Sequence, residues 1–136
     1  MGAFSTFGCG LLLDSVLRPD RAAVLSGVWV ALTSRPPSAG DTGDSIVEPE
    51  AASYARSAYG LGSYWWTAVS AGVVVNARAI DWLEPVEDWG QVTGWALCTE
   101  STSGMILASG QLRRSMTVTQ GAALRVSPGS LRLSLQ

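Results

Sequence analysis

Histidine and lysine are both absent from the 136 residues, and cysteine occurs only twice. Without histidine there is no Ser-His-Asp or Cys-His relay and no imidazole metal ligand. Without lysine there is neither a Walker-type phosphate loop nor Schiff-base chemistry. Cys9 and Cys98 supply no zinc site by themselves, and nothing marks either as a nucleophile, so both are expected as buried free thiols. No apolar run approaches the ~18 residues of a membrane span. Leu11-Leu12-Leu13 is stopped by Asp14 and has no basic region before it, so no signal peptide is expected. A Gly-x-Ser-x-Gly elbow is missing, and Gly60-Leu61-Gly62 lacks the third glycine and βαβ context of a dinucleotide loop. No cofactor is expected.

Charged residues make up 15% of the chain and hydrophobic residues 47%, too apolar a balance for disorder. At this length one domain is expected over 1–136, burying roughly two-thirds of its surface. All nine cations are arginine, and they are unevenly placed. Residues 37–110 hold nine acids against Arg56 and Arg78, whereas residues 111–136 hold Arg113, Arg114, Arg125 and Arg132 with no acid. Opposed blocks of this kind suit self-association in which unlike patches meet, and a homo-oligomer is expected. The acidic middle argues against nucleic acid as a partner, and no membrane partner is expected.

Phe4, Phe7, Leu11 and Leu12, then Ser15 and Val16, recur at helical spacing up to Pro19. A short helix over 1–18 follows, although Gly8 and Gly10 each weaken it by about 1 kcal/mol relative to alanine. From residue 27 onward the chain reads as strand and turn. Gly27–Thr33, Ser53–Tyr59, Ser63–Val69, Val73–Trp82, Gln91–Thr99, Met105–Leu112, Ser115–Thr119, Leu124–Val126 and Leu131–Leu135 are the extended candidates. A Pro/Gly/Asp-rich loop at 34–45 and an acidic connection at 83–90 are the main interruptions. Turn signals every 8 to 12 residues predict a mainly β fold, a β-sandwich or jelly-roll-like domain over 27–136 behind the N-terminal helix. In the last strand, Leu131, Leu133 and Leu135 share one face.

Two clusters carry potential chemistry. Asp81, Glu84, Glu87 and Asp88 are the carboxylates from which a glycosidase pair or a calcium site would be built. Their spacing is not that of an EF-hand, and an acidic surface turn is the simpler reading. Six tryptophans are the second cluster, and Trp65-Trp66 is its most informative pair. On a strand these two side chains point to opposite faces, so at least one is expected on a binding surface. A sugar-stacking platform and a subunit interface both fit, and the enrichment of tryptophan at hot spots favours the interface.

The order of segments carries a further signal. Trp29-Val30-Ala31-Leu32-Thr33 leads into Pro37-Ser38-Ala39-Gly40-Asp41-Thr42-Gly43. Then come Glu48-Pro49, Tyr54-Ala55-Arg56, and Ala79-Ile80-Asp81-Trp82. Asp88 to Leu97, Leu107-Ala108-Ser109-Gly110-Gln111-Leu112 and a closing Gly121–Leu135 stretch complete the series. This arrangement, over roughly 100 residues, resembles the small virion proteins of tailed bacteriophages labelled tail fibre or minor tail protein. It departs from their pattern at Gly94, where a histidine often stands, and at Ala52-Ser53, where a glycine is usual before the Tyr-Ala-Arg segment. The resemblance implies a non-enzymatic structural subunit of the phage particle. Its implied partners are other virion proteins of the tail or the major capsid. Capsid decoration and a carbohydrate-binding module with a host-surface glycan are the alternatives. The candidate interface residues are Phe4, Phe7 and Leu11 on the helix, Trp65 and Trp66, and Arg113 and Arg114.

Overall fold

A computed structural model describes residues 2–20 and 25–134. The elements in chain order are β1 (Gly2–Phe4), α1 (Thr6–Leu17), β2 (Val28–Thr33), β3 (Ser57–Tyr59) and β4 (Val73–Val75). They continue with β5 (Ile80–Asp81), β6 (Gly90–Cys98), β7 (Ile106–Val118), β8 (Arg125–Val126) and β9 (Arg132–Ser134). Seven strands form one sheet in the order β3-β2-β6-β7-β1-β9-β4, and β5 pairs with β8 in a second. All pairings are antiparallel except that of β1 with β9. The large sheet curls into a half-barrel, so the fold is mainly β and sandwich-like with one short helix, as the strand and turn spacing predicts.

Alternation along the central strands decides what is buried. Val28, Val30 and Leu32 of β2, with Trp95 and Leu97 of β6, point into the main core beside Ile80, Trp82, Trp89, Val118 and Leu133. The residues between them, Ala31, Ala96 and Cys98, face the other way and pack with Ile106 and Ile46. The middle of the sheet is thus covered on both faces, which is why β2 reads as a nearly continuous apolar run. Ile46 directly follows the Pro/Gly-rich loop and packs the end of it against the sheet. The alternation at the C-terminus holds for Leu131 and Leu133, 5% and 3% exposed, while Leu135 lies outside the described residues.

Four sequence expectations are corrected, three in the elements and one at a cysteine. The helix does not begin at the N-terminus: Gly2–Phe4 is a strand, inserted between β7 and β9, and Ser5 then starts the helix. Ser5 is an N-cap whose Oγ accepts from Gly8 N at 2.9 Å, and it also donates to the carbonyl of Ile106. Gly8 is the buried residue of the helix because a Cβ there would sit 2.1 Å from the Leu107 carbonyl oxygen. Close approach to β7 therefore explains a glycine that propensity counts as a defect.

Second, Ser63–Val69 forms no strand. Gly62 takes φ +99° and the chain turns back, with Trp65 N and Trp66 N both donating to Gly62 O. Only an isolated bridge, Trp66 to Asn76, remains. Third, Met105–Leu112 and Ser115–Thr119 belong to one 13-residue strand, β7, interrupted by a bulge. Cys98 is buried as expected, but Cys9 is exposed on α1, and both are free.

Candidate functional site

Two constellations stand out, one inside the molecule and one on its surface. The inner one is centred on Arg56, whose side chain is 2% exposed. Its Nε and Nη2 each lie 2.9 Å from a different oxygen of Glu48. The guanidinium also donates to the carbonyls of Gly43, Glu100 and Ser103 at 2.9–3.1 Å. Tyr54 donates to Glu48 at 2.7 Å and accepts from Leu32 N at 3.0 Å. Burial alone would lower the arginine pKa, but the hydrogen bonds and charge of Glu48 outweigh it and the net shift is upward. Burial and the adjacent Glu48 raise the Tyr54 hydroxyl, so it stays protonated. This planar fork ties Gly43 and Glu48 to the Glu100–Gly104 turn. The Glu48 and Tyr54-Ala55-Arg56 segments thus hold the fold together.

The surface constellation is a groove of about 610 Å³ lined by residues of β2, β6, β7 and the segment 124–132. Its buried lining is apolar: Trp82, Trp95, Leu124 and Leu131 are each less than 10% exposed. Its exposed lining carries Arg113, Arg114, Arg125 and Arg132, every cation of the C-terminal block. Arg113 and Arg114 are neighbours and would point to opposite faces of a regular strand. The bulge permits both to line the groove. Between the pairs Val92–Met116 and Gly94–Gln111, the four residues Leu112 to Ser115 stand opposite Thr93 alone. Arg125 is paired across β5–β8 with Asp81, at 2.7 and 3.2 Å. Arg113, Arg114 and Arg132 form no ion pair with any described residue. The Nε1 of Trp82 is buried without a hydrogen-bond partner.

The other candidate residues lie elsewhere. Phe4, Phe7 and Leu11 are half-buried and pack against the main core. The face of α1 turned to solvent carries Leu13, Val16 and Leu17, 60%, 77% and 73% exposed; the sequence reading placed Val16 on the apolar stripe and took none of the three as an interface residue. Sequence periodicity identifies an apolar stripe, and here the helix is apolar on both sides. Trp65 and Trp66 are half-buried and both pack edge-on to Tyr59, with ring centroids 4.8 and 5.3 Å away. Because they sit in a turn, the opposite-face argument does not apply to them. Trp66 Nε1 donates to Gly60 O at 2.9 Å.

The acidic connection is split among separate partners. Asp81 holds Arg125, Glu87 accepts from Ser53 N at 2.9 Å, and Asp88 accepts from Gln120 N at 2.8 Å. Among the described residues no three histidine, cysteine or carboxylate side chains converge on a metal position. No described helix is long and apolar enough to cross a membrane.

One comparison with known proteins gives a family. A family model described as podophage GP4 fiber I protein gp80 matches residues 3–134. No curated protein matches the chain.

Proposed function

Because the chain belongs to the podophage GP4 fiber I protein family, we propose that it is a tail-associated, non-enzymatic structural subunit of the phage particle. The match over residues 3–134 carries this reading, since it spans the helix, both sheets and the arginine-rich end together. The internal chemistry is in keeping with it. The most elaborate polar network, around Arg56, is enclosed and spent on joining a loop to a turn. The arginines without an ion pair among the described residues, Arg113, Arg114 and Arg132, lie instead on the exposed lining of the groove.

In this reading one structural domain contacts other virion proteins and further copies of itself. The outward face of α1, seated on the core by Phe4, Phe7 and Leu11, is one docking surface. The groove edge at Arg113 and Arg114 is another, and the Trp65–Trp66 turn is a third. A carbohydrate platform gains little support, since both tryptophans are committed to Tyr59 and Gly60.

Particle reconstruction with labelled antibody against the chain tests the assignment. Density at the tail, in about tens of copies or fewer, is the expected result. Hundreds of copies spread over the capsid lattice, or absence from purified particles, would overturn it.

A further inference from the structure

From the strand order around the groove, we propose that it is an open strand position in the large sheet. It takes an extended segment of a different virion protein, one in which acidic and apolar residues alternate. The nature of the partner rests on the virion reading above; the strand position itself does not.

The groove lies on the line of β1. That strand runs between β7 and β9, with Gly2 opposite Gly110 on the antiparallel side and opposite Leu133 on the parallel side. The flanking strands are two spacings apart there, about 9–10 Å. Both flanks run on past Gly2. Gln111 to Arg114 line the groove from one side, and Gly129 to Arg132 line it from the other.

The flanks differ in what they offer. Among the described residues, β7 is paired on its β1 side only at Ala108, Ser109 and Gly110. From Gln111 onward its outer main-chain groups have no strand beside them, the condition under which an extended peptide adds to a sheet. The opposite flank is a fixed wall, since Leu131 N–H and C=O are both bonded to buried Asn76. Beneath them the indole of Trp95 marks the entrance. A Cβ on Gly2 or on Gly110 would fall 2.3 or 2.8 Å from its ring atoms, so the ring lies under the last pair of β1 and β7.

Register sets the chemistry of the occupant. Extending both pairings of Gly2 by one residue at a time, an inserted strand stands first between Gln111 and Arg132. Its next positions fall between Leu112 and Leu131, then between Arg113 and Ser130. Arg113 and Arg132 are exposed, whereas Leu131 is buried and Leu112 half-buried. The first and third positions thus face outward beside a guanidinium, and the second faces the apolar floor. Arg113, Arg114 and Arg132 have no ion pair among the described residues. Carboxylates at the outer positions would meet them.

Other occupants fit less well. A helix, about 10–12 Å across, is too thick for one strand position, and a glycan has no main chain to continue the β7 ladder. Within this chain only Glu48 and Glu50 are acids two residues apart, and Glu48 is already held by Arg56. The segment therefore comes from another protein.

The test is binding of an end-blocked Glu-Val-Glu-Val-Glu-Val peptide to the full chain, by calorimetry and hydrogen exchange. The peptide is expected to bind and to slow exchange of the amides from Gln111 to Met116. The same residues in blocks, Glu-Glu-Glu-Val-Val-Val, or the alternating peptide methylated on every second amide nitrogen, are expected to bind at least about tenfold more weakly. Arg113→Glu/Arg114→Glu, its fold checked by circular dichroism, is expected to lose as much and to prefer Lys-Val-Lys-Val-Lys-Val instead. On purified particles, a photoreactive residue in place of Met116 is expected to cross-link to an alternating acidic and apolar segment of a different virion protein.

Equal binding of the block or methylated peptide removes the strand pairing and overturns the proposal. So does a groove protected by a heparin oligosaccharide but not by the alternating peptide, which would assign it to a glycan. Cross-linking only to a second copy of this chain, or no cross-link on particles that contain it, overturns the proposal as well. The two readings fail separately: a chain that binds the peptide but is absent from particles defeats the virion assignment, and one present on particles that does not bind it defeats the strand position.

Discussion

Replacing Arg56 by methionine keeps the aliphatic stem and removes the fork. The Arg56 side chain is 2% exposed, whereas Glu48 is 21% exposed. Removing one partner of a buried ion pair costs about 3–5 kcal/mol, because the other charge is left without compensation. Partial hydration of Glu48 places the expected loss near the lower end, about 3 kcal/mol. At this chain length each kcal/mol lowers the midpoint by roughly 3–5 °C, so a fall of about 10–15 °C is expected. Urea unfolding followed by tryptophan fluorescence, with calorimetry for the midpoint, measures it. A double-mutant cycle with Glu48→Gln separates the pair from the three carbonyl contacts. Arg56→Lys is expected to recover only a minor part, since an ammonium cannot reproduce the bidentate fork. If Arg56→Met loses less than about 1 kcal/mol, the level of an exposed pair, the clamp reasoning is refuted.

The two helix glycines are expected to respond in opposite directions. Gly8→Ala drives a Cβ against the Leu107 carbonyl and destabilises, while Gly10→Ala meets nothing within 4 Å and stabilises by about 0.5–1 kcal/mol. Chemical unfolding of both variants checks this, and two changes of the same sign contradict it. Asp41 is held at about 2, below the usual 3.8, chiefly by the Ser38 N–H and the Ser45 hydroxyl. Its contribution is therefore full above pH 4 and lost as pH falls from about 4 towards 2. Thermal midpoints against pH are expected to fall less steeply in that window for Asp41→Asn than for the wild type. Cys98 is buried and its thiol pushed up to about 11, mainly by that burial, whereas Cys9 is exposed. A thiol reagent at pH 8 is expected to modify one site on the native protein and two after unfolding. Two rapid modifications of the native chain would contradict the burial of Cys98.

Local periodicity carries much of the fold because burial on a strand is a two-residue repeat and a turn needs particular residue types. Val28, Val30 and Leu32 are legible on that basis, as are Leu131, Leu133 and the loop chemistry from Arg35 to Asp44. Helical spacing likewise indicates α1 and its end before Pro19. The same logic misplaces Trp65 and Trp66, since a run rich in aromatics scores as strand although Gly62 turns the chain. It also assigns residues 2–4 to the helix, because the strand at Gly2–Phe4 depends on β7 and β9 more than a hundred residues later. Buried Arg56 offers no sequence signal beyond its place in the Tyr54-Ala55-Arg56 segment.

By itself, the sequence determined the classes of chemistry that lysine and histidine would have supplied, the β character of the chain, and the segregation of its charges. Those are properties of composition and of short-range repeats, which need no partner strand to exist. Only the tertiary structure decided that Arg113, Arg114, Arg125 and Arg132 would line one groove, and that an acidic loop with outward Leu83 and Val86 would stand beside it. The reason is geometric: a bulge opposite Thr93 and the β5–β8 pairing join residues from distant parts of the chain, and a one-dimensional pattern does not encode which strand will lie beside which.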